Sequence, residues 1–426
     1  MCHNYAKHFL LSIGFIAIGF SSLAQNSNRE NAPYSRYGLG ELRNGNNTVL
    51  KGMGNISSAY SNGFNVNTDN PASYAGLRLV TYEAGGEGST RTIIANNESV
   101  GTGTATLSHL TIGIPIGKRG GMALGLRPFT RVYYRMNDSI NLDGLGPALK
   151  VYSGDGSTNY AFIGGAYSFG DFSIGANFGY LFGTVRNSVI LQKQYDTVNA
   201  YNSDFSRYTK VGGLYYKVGA QYNTKLNEKL RLRIGGTVAL SQSLNAWQDN
   251  FGLLWRASGA GTITDTAINE SEVKGKVQLP LTYSFGAQLA GNDQWMVGLD
   301  YAASQWSQFR HFGDLTDSVD NSFKIGLGGE FTPDATSLYR YLSRVTYRLG
   351  FYYGKDFVTL RNTDVNFFAV TAGASLPFRR STDRVHFALE IGRRGTESNG
   401  LVRENFFRFH LGISLNDRWF IKRKYD

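Results

Sequence analysis

From residue 77 to residue 415 the chain alternates apolar and polar residues one for one, and this period of two constrains the fold more than any other feature. In the run from Leu230 to Leu240, the side chains of Leu230, Leu232, Ile234, Val238 and Leu240 share one face. Arg231, Arg233, Gly235, Thr237 and Ala239 share the other. A strand sends successive side chains to opposite sides, so the segment has one oily and one wet face. Phe407, Phe409, Leu411, Ile413 and Leu415 repeat the pattern against Arg408, His410, Gly412 and Ser414. Val385, Phe387, Leu389 and Ile391 do so against His386, Glu390 and Gly392.

Fourteen such segments follow one another: 77–83, 104–116, 121–134, 159–169, 172–186, 208–224, 230–244, 277–290, 295–306, 321–331, 345–354, 365–377, 385–394 and 405–415. Nearly all have the ten or so residues that a tilted strand needs to cross a bilayer. Short connections (117–120, 170–171, 225–229, 291–294, 378–384) alternate with longer polar ones (84–103, 135–158, 187–207, 245–276, 307–320, 355–364, 395–404). Outer-membrane barrels alternate tight periplasmic turns with larger outside loops in this way. One short-side connection, 332–344, is longer and holds "SLYRYLSR", which reads as a brief amphipathic turn.

A soluble β-sandwich is the rival architecture. Its strands average five or six residues, with charged edges and frequent prolines. Here the strands are longer, and proline numbers only 8 against 52 glycines and 27 phenylalanines. After Gln25 no apolar run approaches the ~20 residues of a membrane helix. The expected fold is all-β: a transmembrane antiparallel β-barrel of about 14 strands. Trp295 beside a short turn, and Tyr133, Tyr134, Trp247 and Trp306 near the long connections, are placed as interface belts would be.

The first 24 residues read as an export signal: Lys7 in a weakly basic start, an apolar run over 9–20, and Ser22-Leu23-Ala24 before a cleavage at Gln25. Cys2, the only cysteine, is lost with it, so the mature chain has no disulfide or thiol chemistry. The formal charge of +11 is dispersed, with no basic run longer than Lys422-Arg423-Lys424. An exported chain with dispersed charge is not a nucleic-acid binder, although some cations suit anionic lipid headgroups.

The chain resembles a known family at "PYSRYGLGEL" (33–42), "KGMGNISSAYSN" (51–62), "NPASYAG" (70–76) and "GLRPFTRVYY" (125–134). Together with the signal and the strand count, these look like the FadL-type outer-membrane transporters, in a divergent FadL-like branch. The resemblance implies that residues 25–76 fold into the barrel as a plug, leaving a barrel over 77–415 and a periplasmic tail over 416–426. It also implies a hydrophobic ligand that leaves sideways where the third strand kinks. Gly125 and Pro128 in that strand, and Pro115 beside it, are candidates for the break, since proline removes a ladder donor. Asn70, Pro71 and Ala72 are then the hinge between plug and wall. The outer connections are not conspicuously apolar, so no greasy capture surface is evident.

Parity places Arg127, Lys217, Arg231, Arg233, Asp300, Lys324, Glu330, Arg348, His386, Glu390, Arg408 and His410 in the lumen. Arg231, Arg233, Glu390, Arg408 and His410 form a candidate polar network, with Glu390 opposite Arg408 if the last hairpin turns at residue 399. Buried charges need such partners. No metal-ligand spacing and no cofactor motif is present. Ser108 and His109 are neighbours on a strand and so face opposite sides, and no GxSxG element exists, so no enzyme is expected.

Two functions remain open. One is passive uptake of a hydrophobic, fatty-acid-like molecule through a lumen pocket and a wall opening. The other is a non-transporting barrel subunit of a large envelope complex, such as a secretion translocon or barrel-assembly machinery. Both place the protein in a bacterial outer membrane with both termini periplasmic, among lipid and lipopolysaccharide. The second adds outer-membrane or periplasmic protein partners.

Overall fold

The computed structural model describes residues 30–43, 45–193, 200–258, 261–292, 294–315, 318–379 and 381–419. The export signal, Cys2 and the last seven residues of the tail lie outside these. The wall runs β1 (Val80–Ala95), β2 (Glu98–Ile116), β3 (Gly120–Leu142), β4 (Gly146–Phe169), β5 (Phe172–Lys193) and β6 (Asn202–Lys225). It continues as β7 (Leu230–Ala239, resuming as Gln242–Ser258) and β8 (Gly261–Leu279, resuming as Thr282–Gly291). Next come β9 (Trp295–Ser304), β10 (Ser322–Phe331), β11 (Thr346–Leu360), β12 (Thr363–Pro377), β13 (Arg384–Gly395) and β14 (Arg403–Asp417). The breaks in β7 and β8 lie side by side at Leu240-Ser241 and Pro280-Leu281, where proline cannot extend a ladder.

Each strand pairs antiparallel with the next, and β14 returns to β1 from Arg403↔Ile94 to Asp417↔Val80. The protein is therefore a closed antiparallel barrel of 14 strands. Closure removes the free edge that lipid could not solvate. Outward residues such as Phe178, Leu299, Leu349 and Ile391 are exposed, while their inward neighbours Asn177, Asp300, Arg348 and Glu390 are buried. That alternation is the period of two.

The strands reach further than the oily pattern predicts. β3 to β6 run 22–24 residues, whereas β9 and β10 have 10. In most of the polar gaps expected as loops (84–103, 135–158, 187–207, 245–276) the described residues are largely ladder, and the first gap closes in a tight turn at Asn96-Asn97, both at positive φ. Past the bilayer both faces of a strand are wet, so no apolar face marks them. The interface belt is also corrected in part. Trp306 is buried and stacks on Phe357 at 4.2 Å, and buried Tyr134 donates to Asn187. Both point into the barrel.

Residues 30–43 and 45–79 pack against inward-facing positions of the wall. They meet glycines of the wall: a side chain at Gly121, Gly175 or Gly350 would overlap the segment's backbone at Tyr74, Pro71 or Gly54, and one at Gly219 the side chain of Asn70. Part of the glycine content thus serves close approach between segment and wall.

Candidate functional site

Three sets of contacts hold residues 30–79. At the short-turn end, Asn70 is fully buried. Its Oδ1 accepts from Ala72 N, and its Nδ2 donates to Ser58 O and to Ala220 O of β6. Pro71 opens the 3-10 turn Pro71–Gly76, which packs Tyr74 against Asn177 of β5. Asn70, Pro71 and Ala72 thus form a pinned turn. Nearby, Asp300 accepts from the backbone N–H groups of Ser57 and Ser58, and Arg233 donates to Ser61 O. Arg231, on the same parity as Arg233, is exposed at the rim, because it sits next to the strand's first residue. It is not among the residues around Glu390 and Arg408.

The second set is a buried ion-pair cluster. Glu390 and Arg408 face each other across β13 and β14 and pair at 2.5 Å. Arg408 also reaches Glu41 of the inner segment at 3.3 Å. Glu41 accepts both a 3.0 Å and a 3.1 Å bond from Arg91 of β1, which also pairs with Glu404. Arg43 joins Glu30 to Glu87, and Lys51 pairs with Glu87 at 3.1 Å. His410 lies 3.5 Å from Glu87. Burial alone would push the Glu41 carboxyl up, but the guanidiniums of Arg91, Arg43, Arg394 and Arg408 outweigh it. They hold it well below the usual carboxylate range.

The third set is at the wall between β2 and β3. Their ladder has seven pairs, from Ile116↔Gly120 to Leu110↔Leu126, and stops there. Beyond it, β3 stays on β4 with one irregularity between Pro128 and Thr130. Gly125 is the last pair but one, Pro128 stands just past the end, and Pro115 is inside the paired part opposite Gly121. The β3 edge above this point is not bare. The two-residue strand Glu41–Leu42 pairs with Arg131 and Thr130. Arg43 N donates to Phe129 O, Ala32 N to Tyr133 O, and Tyr133 N to Ser35 Oγ. Residues 32–43 therefore supply the ladder that β2 does not.

Between these sets lies a cavity of about 830 Å³. Leu42, Leu107, Pro128 and Phe129 line it toward the β2–β3 seam, and Lys217, Lys324, Arg127, Glu87 and Asp69 line it elsewhere. Nine cations against six carboxylates face it. Ser108 and His109 do not face apart as parity requires. The register shifts between Gly85 and Gly86 leave Ser108 bulged, and its Oγ lies 3.3 Å from His109 Nδ1. That oxygen already accepts from Lys51, whose ammonium Glu87 holds. Among the described residues no group of three potential ligands could hold a metal ion. Parity could not find Glu41, Arg43 and Lys51, which come from outside the wall pattern.

Solved structures with the same fold include the Ralstonia pickettii toluene transporter TbuX, with a TM-score of 0.58 and 14% identity over 87% of this chain and 98% of that one. The P. putida toluene transporter TodX is similar at 0.57 and 13%, over 88% and 99%. A Pseudomonas aeruginosa FadL homologue follows at 0.52 and 14%, over 87% and 98%. The protein thus shares the barrel fold of these FadL-type structures. No curated protein matches the chain. The family model described as BamG matches residues 6–426, and the chain belongs to the BamG family.

Proposed function

We propose that the protein is a non-transporting barrel subunit of a large envelope machine, of the class that assembles barrels or secretes protein. One observation carries this reading: the β3 edge that a sideways exit would use is taken up by the chain's own backbone at Ala32, Glu41, Leu42 and Arg43. Buried ion pairs then tie that backbone to β1 and β14. Breaking such a pair costs about 3–5 kcal/mol, because the other charge stays buried. A segment so fixed acts as a plug that seals, and leaves the outer wall and the two ends as working surfaces. Membership of the BamG family, rather than of a transporter family, accords with this reading. In this reading the short turns face the periplasm, as they do in such barrels, and both ends of the wall, Val80 and Asp417, lie on that side.

Affinity purification from native membranes in mild detergent tests the proposal. Stoichiometric large partners are expected, and a lone barrel overturns it. A second reading, uptake of a hydrophobic small molecule, is favoured by the cavity beside the short β2–β3 ladder and by the fold shared with the toluene transporters. It requires residues 32–43 to leave the β3 edge.

A further inference from the structure

At the short-turn end the connections 117–119, 170–171, 226–229, 292–294 and 378–383 are short in sequence, and 332–345 is an arm. Its base is ordered. Asp334 N donates to Ser343 O, Thr336 N donates to the Asp334 carboxylate, and the 3-10 turn Tyr341–Arg344 closes the arm. Tyr341 Oη donates to Pro377 O of the neighbouring strand end, and the Arg344 guanidinium sits 5.2 Å over the Tyr341 ring. Yet the tip holds Leu338, Tyr339 and Leu342 at 87, 97 and 70% exposure. Apolar side chains on the wall are outward because lipid covers them, but these lie past the last wall residue, Phe331.

Leu338 and Tyr339 are consecutive and both almost wholly exposed, so the tip is apolar on more than one side. A flat lipid surface meets one side of such a tip, whereas a protein pocket encloses it. The cations Arg340 and Arg344 flank the tip, and the one carboxylate of the arm, Asp334, is already engaged by Thr336. We propose that this arm docks a periplasmic protein through an apolar pocket with an acidic rim. The proposal rests on the subunit reading and names the contact that reading needs.

A photo-crosslinking benzophenone amino acid replaces Tyr339 in the full-length protein in cells, with the same probe at Asn227 as control. The expected result is a single protein adduct from position 339 alone, identical to one of the stoichiometric partners of the wild type. Leu338→Ser combined with Tyr339→Ser and Leu342→Ser lowers recovery of that partner about tenfold or more, as loss of hot-spot contacts does. Arg340→Glu lowers it several-fold, and the gel shift of the folded barrel on heating stays unchanged. If the triple variant does not fold, Tyr339→Ser alone is read. Adducts with phospholipid only, or undiminished partner on the folded variant, overturn the arm proposal and leave the subunit reading standing. A wild type that purifies as a lone barrel overturns both.

Discussion

Two junctions of the wall border the inner segment, and they are built differently. β14 meets β1 through fifteen consecutive pairs, from Arg403↔Ile94 to Asp417↔Val80. β2 meets β3 through seven, after which the segment's own backbone takes over. At the first junction the wall is complete and the segment takes no part in its ladder, meeting wall side chains instead, as Glu41 does between Arg91 and Arg408. At the second the segment is part of the wall. An unpaired backbone group costs several kcal/mol where water cannot reach it, so the gap and its filling are one device. Glu41 belongs to both, pairing with Arg131 by its backbone and with the β1 and β14 guanidiniums by its carboxylate.

The largest effect therefore comes from separating those two roles. Glu41→Ala keeps the backbone but strands Arg91 and Arg408 beside fewer carboxylates, at a cost of about 3 kcal/mol or more. The temperature at which the folded form is lost on gels should fall, and protease should reach residues 30–43 in the detergent-solubilised barrel. Glu397→Ala removes a partly exposed pair between the β13–β14 turn and Arg403, the first residue of β14, and should cost no more than about 1 kcal/mol. Equal effects from the two would deny the cluster its role.

Acid probes the same carboxylate more gently. The folded-state pKa of Glu41 is depressed, so its contribution is fully present above the ordinary carboxylate value, about 4.3, and is lost as pH falls through the folded value. Between pH 7 and 5 protease access to residues 30–43 should not change. Loosening should begin only below the ordinary carboxylate range. A transition near pH 6 would show that some other group holds the segment.

How far this was legible in the sequence depends on which residues obey period two. The barrel and its strand number follow from the oily face alone. The same parity reads Glu390, Arg408 and His410 as lumen side chains. It misreads Ser108, where a bulge turns the strand, and Trp306, which stands in a 3-10 turn with no parity. It also misses the upper halves of β3 to β6, since strands wet on both faces carry no apolar signal. The partners Glu41, Arg43 and Lys51 belong to a segment without any period, and only the folded chain brings them to Glu87 and Arg91.

The smallest effect bears on why the β2–β3 ladder stops. Pro128 stands just past the last pair and has no N–H to donate, so it is the obvious cause. The geometry points elsewhere. Phe129 O already accepts from Arg43 N and Tyr133 O from Ala32 N, so the groups a longer β2 would need are engaged by the segment. Restoring the donor with Pro128→Ala should then shift stability by less than about 1 kcal/mol, within the range of ordinary surface changes. The amides between Thr102 and Leu107 that face β3 should exchange as fast as in the wild type. If they gain protection instead, the ladder has lengthened and proline was the stop. The segment would then be filling a gap the wall imposes, and displacing residues 32–43 would open it.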